Sequence, residues 1–506
     1  MTTHQQEFTL WTKTAAPLNS LTSKCIKKCC DNQVPGSTQS LPIQMRQNVL
    51  DYLIRERIPV NASYVCDLLQ GGVYSFDLWS LADNNLYKPK DVIAILETLA
   101  ANSSCLTELI IGGSTWIYNN RILRGPLRQL FLSKLPKLRV LKMQQVSSAD
   151  EFMAICEACI NLVKLDICQP SLTDRDIARV EETLLGSTCD AIRGNLKELR
   201  LPSTIKNGGI MRLLAAFSNV RWLKVARFEN LLESIEEAPQ YEGCHFYSQI
   251  QLAEKTLAQL RGLTITHPLG FDSVDQVVEK CPLIEELGLE VQSCMTLGSI
   301  SRLTQLKRLA LHNSANTPCS YLEQVVPLLQ QIGANLETLS LEQFDVLDLA
   351  QCARLCPNLN ALSAQWFTIL GCNRGTTMGL SRAEREATRT PFRSLRYLRL
   401  RPRAQREVAS ETVDYLLSHA HYLEHCELYC CRDLNDDSIK QIIKTNGFQN
   451  LKQLILRHGH DVSKSMLNQL TAMSDKLQYV DCGRPLLSKA ELVPNDDEEV
   501  NLLNIL

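Results

Sequence analysis

The chain has 506 residues, a formal net charge of -2 and an apolar fraction of 45%. It is longer than one ordinary core needs, and its charge excludes the global basic field that attracts nucleic acids or membranes. The sequence has no run of about 18 apolar residues that predicts a membrane span, and its N-terminus has no apolar core of signal-peptide length.

The 20 cysteines are expected to be reduced and buried as small apolar residues, because no secretion signal precedes them. Cys156 and Cys159 fall within a helical pattern and have no second pair at zinc spacing, so we predict that they pack. Phosphate-loop and nucleophile-elbow patterns do not occur. We therefore expect a cytoplasmic or nuclear protein without catalytic residues, cofactor or metal.

The first predicted element follows a flexible N-terminus over residues 1–17. The stretch SLTSKCIKKC places Leu21, Cys25 and Cys29 four residues apart, and this spacing predicts one narrow apolar stripe on a helix. Such a short helix has little stability of its own. The stripe is therefore expected to lie in a groove on a partner protein.

A second amphipathic helix is predicted to begin within SLPIQMRQNVLDYL. Leu41, Pro42 and Met45 stand at its opening, where a proline is tolerated because the first helical N–H groups have no partner within the helix. Residues 18–70 are thus predicted to form a small all-helical module.

One repeat fills residues 71–490. The pattern x-L-x-x-L-x-L predicts strands whose last two leucines point to one face, and helical spacing separates the copies. The fifteen copies start at Gly72, Cys105, Lys137, Asn161, Asn195, Asn219, Gln259, Leu283, Gln305, Asn335, Asn358, Ser394, Tyr422, Asn450 and Lys476. This periodicity predicts an α/β leucine-rich-repeat solenoid with a curved parallel sheet and outer helices. The acidic residues 491–506 are expected to cap it.

The stretch FRSLRYLRLRPRAQR is locally very basic. Tyr397, Arg399 and Arg401 are predicted to share its exposed face, and with Tyr429 and Arg457 they are the candidate substrate-binding residues. The arginines either keep a solvated strand soluble or bind an acidic or phosphorylated peptide, since guanidinium groups suit carboxylate and phosphate. The polar insertion at 371–392 is expected to be mobile, with a partner contact as the alternative.

These motifs carry a resemblance to a known family. YLEHCELYCCRDLNDDSI and NLVKLDICQPSLTDRDI resemble the cysteine-containing leucine-rich repeats of ubiquitin-ligase receptors. SLTSKCIKKC resembles the elongin C-binding box, and LPIQM resembles the cullin-2 box. Together they resemble the leucine-rich-repeat substrate receptors of elongin B/C–cullin-2 RING ligases of the Zyg-eleven kind, without their armadillo domain.

The resemblance implies a receptor subunit without catalytic residues of its own. Leu21, Cys25 and Cys29 would bind elongin C, which pairs with elongin B. Leu41, Pro42 and Met45 would bind cullin 2 with its RING protein. The repeats would bind a protein substrate.

Two alternatives stay open. An F-box of a Skp–cullin-1 ligase also opens with L-P-x-x-Φ, and Val65-Cys66 and Leu78-Trp79 resemble its later positions. Leu69 stands where an F-box usually has tryptophan, and an F-box leaves the upstream cysteine stripe unexplained. The other alternative is a leucine-rich-repeat scaffold outside any ligase.

Overall fold

The computed structural model describes part of the chain, in two compact units that lie within Gln5–Leu260 and Arg261–Leu506. We call them the N-terminal and C-terminal units. The described residues are 26, 28–30, 33, 38, 40–55, 57–85, 87–112, 135–144, 146, 148–167, 172–186, 189–228, 245–269, 273–293, 295–314, 319–344, 346–367, 369–371, 392–403, 410–431, 434–457, 461–473, 476–477 and 479–482.

The described residues of the N-terminal unit form six parallel strands, each paired with the next in chain order. They are β1 (Ser75–Asp77), β2 (Glu108–Ile111), β3 (Val140–Met143), β4 (Lys164–Ile167), β5 (Glu198–Arg200) and β6 (Trp222–Val225). Each coincides with one predicted copy of the repeat. Parallel pairing requires a crossover between strands, and the segments between copies supply it.

In the part of the C-terminal unit that the structure describes, there are nine further parallel strands of the same kind. They are β7 (Gly262–Ile265), β8 (Glu286–Val291), β9 (Arg308–Asn313), β10 (Thr338–Glu342), β12 (Ala361–Phe367), β14 (Tyr397–Pro402), β15 (His425–Tyr429), β16 (Gln453–Arg457) and β17 (Tyr479–Cys482). All fifteen predicted strands are thereby confirmed. A separate parallel pair, β11 (Val346–Asp348) and β13 (Ile369–Gly371), was not predicted.

Helices connect the strands. In the N-terminal unit they are α1 (Ile43–Arg55), α2 (Ala62–Gln70), α3 (Leu78–Asn84), α4 (Pro89–Ala101), α5 (Ala149–Ala158), α6 (Asp174–Leu185), α7 (Asp190–Asn195), α8 (Asn207–Ala216) and α9 (His245–Leu257). In the C-terminal unit they are α10 (Ser273–Lys280), α11 (Val326–Ile332), α12 (Leu349–Leu355), α13 (Ser410–His419), α14 (Asp436–Asn446) and α15 (Lys464–Met473).

Short helices of other kinds complete the connections. The 3-10 helices are Ser103–Cys105, Gly298–Arg302 and Gly333–Asn335, and Tyr321–Val325 is a π-helix. Among the described residues, we find no helix that combines the length and the apolar character needed to cross a bilayer.

The two leucines that end each repeat motif form the core. Leu309, Leu339, Leu362 and Leu398 stand side by side in register on four adjacent strands, and each is buried. The residues that alternate with them point to the other face, which carries polar side chains such as Ser340. The sheet therefore has an apolar face and a polar face, and together these features make an α/β leucine-rich-repeat fold.

A ladder of asparagines joins successive repeats. In five copies the asparagine that opens the motif donates its side-chain N–H to a backbone carbonyl of the preceding repeat, over 2.7 to 3.1 Å. The donors and acceptors are Asn161 to Pro136, Asn195 to Ile160, Asn219 to Gly194, Asn358 to Ala334 and Asn450 to His421. The ladder satisfies loop carbonyls that the strands leave unpaired.

Candidate protein-binding sites

Of the three residues in the predicted cysteine stripe, Leu21 and Cys25 lie outside the described residues. Residues 26 and 28–30 are helical, and Cys29 is half-buried. Ile26 and Cys30 are each 0% exposed. Because they stand four apart, one turn of helix packs through Ile26 and Cys30, and Cys29 lies to the side of that buried face.

Hydrogen bonds join the end of this helical turn to α2 and to the segment before α2. The Tyr64 hydroxyl donates to the backbone carbonyl of Cys29 over 3.0 Å, and the Gln33 side chain donates to the carbonyl of Pro59 over 2.7 Å. Burial raises the pKa of Tyr64, and the thiols of Cys30 and Cys29 raise it further. Tyr64 therefore stays a neutral hydrogen-bond donor at physiological pH.

The predicted cullin-binding residues lie at the first turn of α1. Pro42 is exposed, and Leu41 and Met45 are half-buried. The carbonyl of Pro42 accepts from the N–H groups of Met45, over 2.9 Å, and Arg46, over 3.1 Å, so Pro42 directly precedes the helix. The three residues thus lie close together along the chain, with Pro42 at the surface.

The two residues that follow Met45 hold α1 to the first repeat. The Gln47 amide oxygen accepts from the N–H groups of Tyr74 and Ser75, and its nitrogen donates to the carbonyl of Ser75 over 3.0 Å. The Arg46 guanidinium donates to the carbonyl of Gly71 over 2.8 Å. Sequence reasoning missed these contacts, because glutamine and arginine are unusual at buried positions.

The positions that resemble an F-box are mostly core positions. Val65, Leu69 and Leu78 are buried, whereas Cys66 and Trp79 are half-buried. The Lys142 ammonium lies 4.7 Å from the centre of a Trp79 ring. This cation–π contact ties α3 to β3.

The candidate substrate-binding residues occupy three rows across β14, β15 and β16. Tyr397 is level with His425, and Arg399 is level with Glu427. Tyr429 is level with Arg457, and Arg401 follows the paired Leu400 on the adjacent strand. Tyr397 and Arg399 are only 6% and 8% exposed, so they lie on the predicted face but are buried there rather than open to solvent.

Arg399 belongs to a buried charged cluster. Its Nε lies 3.2 Å from Oε2 of Glu427, and the Tyr429 hydroxyl donates to Oε1 of Glu427 over 2.6 Å. Burial raises the pKa of Tyr429, and the Glu427 carboxylate raises it further. Glu427 therefore balances the charge of Arg399 and fixes the orientation of the Tyr429 ring.

Arg401 has different neighbours. Its Cζ atom lies 5.5 Å from the ring centre of Trp366 and 5.3 Å from that of Tyr429. Trp366 stands at a β-bulge between Gln365 and Phe367, with a left-handed φ of 53°. Sequence reasoning missed Trp366, because the repeat pattern gives no sign of a bulge.

The row that contains Arg401 continues across the C-terminal unit. Gln365 donates to Oε1 of Glu342 over 3.0 Å, and His312 Nδ1 lies 2.9 Å from Oε2 of the same carboxylate. Burial raises the pKa of Glu290, which is level with His312, although His312 and Ser314 partly offset this. The row thus changes from acidic at Glu290 and Glu342 to basic at Arg401 and Arg457.

Among the described residues, no group of three or more His, Cys, Asp or Glu side chains could hold a metal ion. Cys156 and Cys159 are buried, and burial raises the pKa of the Cys159 thiol to about 12. Both thiols are therefore protonated at neutral pH and unreactive.

No protein-family model matches the chain, and a search of curated proteins gave no match. Among solved structures, the crystal structure of the Rad7 and Elc1 complex in yeast is similar to it, with a TM-score of 0.37 and 13% sequence identity. The similarity covers 98% of this chain and 94% of that chain. The assignment of the repeat fold rests on the strands and their register.

Proposed function

We propose that the chain is the substrate-recognition subunit of a multi-subunit cullin-RING ubiquitin ligase. It acts in the cytoplasm or nucleus and contributes no catalytic residue. Its helical module attaches it to the ligase, and its repeats hold a protein substrate. The rate of ubiquitin transfer then rises because the substrate is held near the charged enzyme.

The observation that carries the proposal is the orientation of the Cys29 turn. Ile26 and Cys30 hold the turn to the module, whereas Cys29 is only half-buried and Lys28 is exposed. By helical spacing, Leu21 and Cys25 would share the side of Cys29. This side would lie in the groove of elongin C, with elongin B bound to it.

The first turn of α1 is the proposed contact with cullin 2 and its RING protein. Pro42 is exposed there, between Leu41 and Met45, while Gln47 and Arg46 hold the helix to the first repeat. A rigid connection of this kind would transmit a fixed orientation from the ligase to the start of the repeats.

A pull-down with the purified full chain tests the proposal. The chain is incubated with elongin B/C, cullin 2 and the Skp adaptor. We expect elongin C to be retained and to be lost from the double variant Leu21→Ala, Cys25→Phe. Lys27→Ala is the matched control and should retain it, because helical spacing places Lys27 on the side opposite Leu21 and Cys25.

The cullin contact has its own variant. Leu41→Ala with Pro42→Ala should lose cullin 2 while elongin C is retained. Recovery of the Skp adaptor in place of elongin C would replace the proposal with an F-box receptor. Recovery of neither adaptor would leave a repeat scaffold outside any ligase.

A further inference from the structure

We propose that Trp366, Arg401 and Tyr429 form a site that binds the carboxylate of an aspartate or glutamate of a partner protein. The proposal rests on the proposed function only in taking that partner to be the ligase substrate. The binding chemistry itself follows from the described side chains.

Arg401 differs from the neighbouring arginines in its pairing. Arg399 is paired with Glu427, and Arg396 Nη1 lies 3.3 Å from Oε1 of Glu424, the residue before the same adjacent strand. Within the described ranges, Arg401 has only its two ring contacts and no hydrogen bond or ion pair. A guanidinium group has five N–H donors in a planar fork, so its hydrogen-bonding capacity is unused here.

The rings hold this guanidinium in position before any ligand arrives. Trp366 and Tyr429 approach it from the strands on either side, within the range of cation–π attraction. Tyr429 is itself fixed by its hydrogen bond to Glu427. The rings pack against the Arg401 guanidinium and leave its N–H donors available. A guanidinium that is already held in place loses less conformational entropy when it binds a carboxylate.

The backbone at Trp366 places an aromatic ring in this cluster. Trp366 has a left-handed φ, as do Gln343 and Cys430, which follow Glu342 and Tyr429 of the same row, so this conformation recurs in the repeats. The bulge brings the Trp366 ring onto Arg401. Trp, Tyr and Arg are also the residue types that dominate the binding energy of protein interfaces.

The surrounding charges favour a carboxylate over a phosphate group. Arg457 is level with Tyr429 and adds a second cation nearby, whereas Glu427 and Glu342 flank the site. Counted together, the three arginines (Arg399, Arg401, Arg457) and these two acids leave a net charge of about +1, which one carboxylate neutralises and a phosphate group, with nearly twice the charge, exceeds. A singly charged acidic side chain fits this balance.

Binding of short peptide pools tests the proposal. The full chain is titrated into fluorescein-labelled peptides with randomised flanks and a central Glu, Gln or phosphoserine, and binding is followed by fluorescence anisotropy. We expect the Glu pool to bind most tightly. Arg401→Ala should weaken its binding by about 10- to 100-fold, the usual value of a charge-assisted hydrogen bond.

Matched variants distinguish binding at this site from a general effect of positive charge. Arg396→Ala removes the same charge from an exposed, paired position and should bind the Glu pool as the unmodified chain does. Arg401→Lys keeps the charge but loses the planar fork, so it should bind more weakly. Thermal unfolding of each variant establishes that it is folded.

Three results would overturn the proposal. These are equal binding of the Glu and Gln pools, tighter binding of the phosphoserine pool, or equal losses in Arg401→Ala and Arg396→Ala. Elongin C retention by Arg401→Ala is measured in parallel. A failed peptide test with elongin C retained rejects this site alone, whereas loss of elongin C from the unmodified chain rejects the proposed function.

Discussion

Arg399 and Arg401 stand two residues apart on β14, yet their environments give them different roles. Arg399 is buried and balanced by Glu427, so its charge stabilises the sheet. Arg401 lies between two aromatic rings and keeps its donors available. Sequence reasoning identified both as a basic pair, because strand alternation places them on one face. It could not assign the partner, since Glu427 comes from the next repeat.

Removal of the Glu427 carboxylate should be costly. In Glu427→Ala, Arg399 is left as a buried charge without this partner, and the free energy of unfolding should fall by about 3 kcal/mol. Glu424→Ala is the control, because Glu424 pairs with the more exposed Arg396 and Lys452 and should cost less than about 1 kcal/mol. Denaturant unfolding of both variants measures the difference, and equal losses would contradict a structural role for Glu427.

Gly333 is required by a close approach of backbone atoms. A Cβ atom at this position would lie 2.4 Å from the carbonyl oxygen of Leu355. Gly333→Ala should therefore destabilise the chain by about 2 kcal/mol, since the backbone must shift. Gly298→Ala is the control, because nothing lies within 4 Å of its Cβ position. Thermal unfolding should show a lower midpoint for the first variant alone, and equal midpoints would contradict the predicted clash.

At the scale of elements, short-range patterns predicted every strand of the repeats. A strand such as β10 is encoded by leucines two residues apart, and this information is local. The pair β11 and β13 and the bulge at Trp366 depend on contacts between repeats, so no local pattern indicates them. The turn that holds Cys29 shows the same limit. The prediction placed Cys29 in a partner-binding stripe, and no local pattern indicated that Ile26 and Cys30 pack into the core.

Helix α14 has a capping residue at each end. The Asn435 side chain accepts from the N–H groups of Asp437 and Ser438, and Gly447 ends the helix with a left-handed φ of 72°. Asn435→Ala should lower the free energy of unfolding by about 1 kcal/mol. Asn435→Asp retains an accepting oxygen and should cost little. Denaturant unfolding compares the two, and equal losses would show that the cap is not what stabilises this end.

At the scale of the whole molecule, buried thiols couple stability to pH. Burial raises the pKa of Cys159, Cys281 and Cys431 from about 9 to about 12. The unfolded chain loses these protons first as the pH rises. The stabilisation is therefore complete below pH 9 and is lost between about pH 9 and 12, by up to about 1.4 kcal/mol per pH unit for each thiol.

Cys281→Ala isolates one thiol in this titration. The variant is less stable at pH 7 because it leaves a cavity, but its stability should fall less steeply above pH 9. Urea unfolding at several pH values gives both slopes. Parallel curves for the variant and the unmodified chain would show that the Cys281 thiol is not protected in the folded state.

Attachment to a ligase through elongin C is the central claim at this scale. The most direct test is size-exclusion chromatography with light scattering of the full chain, mixed with equal amounts of elongin B/C and the Skp adaptor. We predict a complex of the chain with elongin B/C, absent for Leu21→Ala with Cys25→Phe and unchanged for Lys27→Ala, on the opposite side of the helix by spacing. A chain that elutes alone, or together with the Skp adaptor, would contradict the claim.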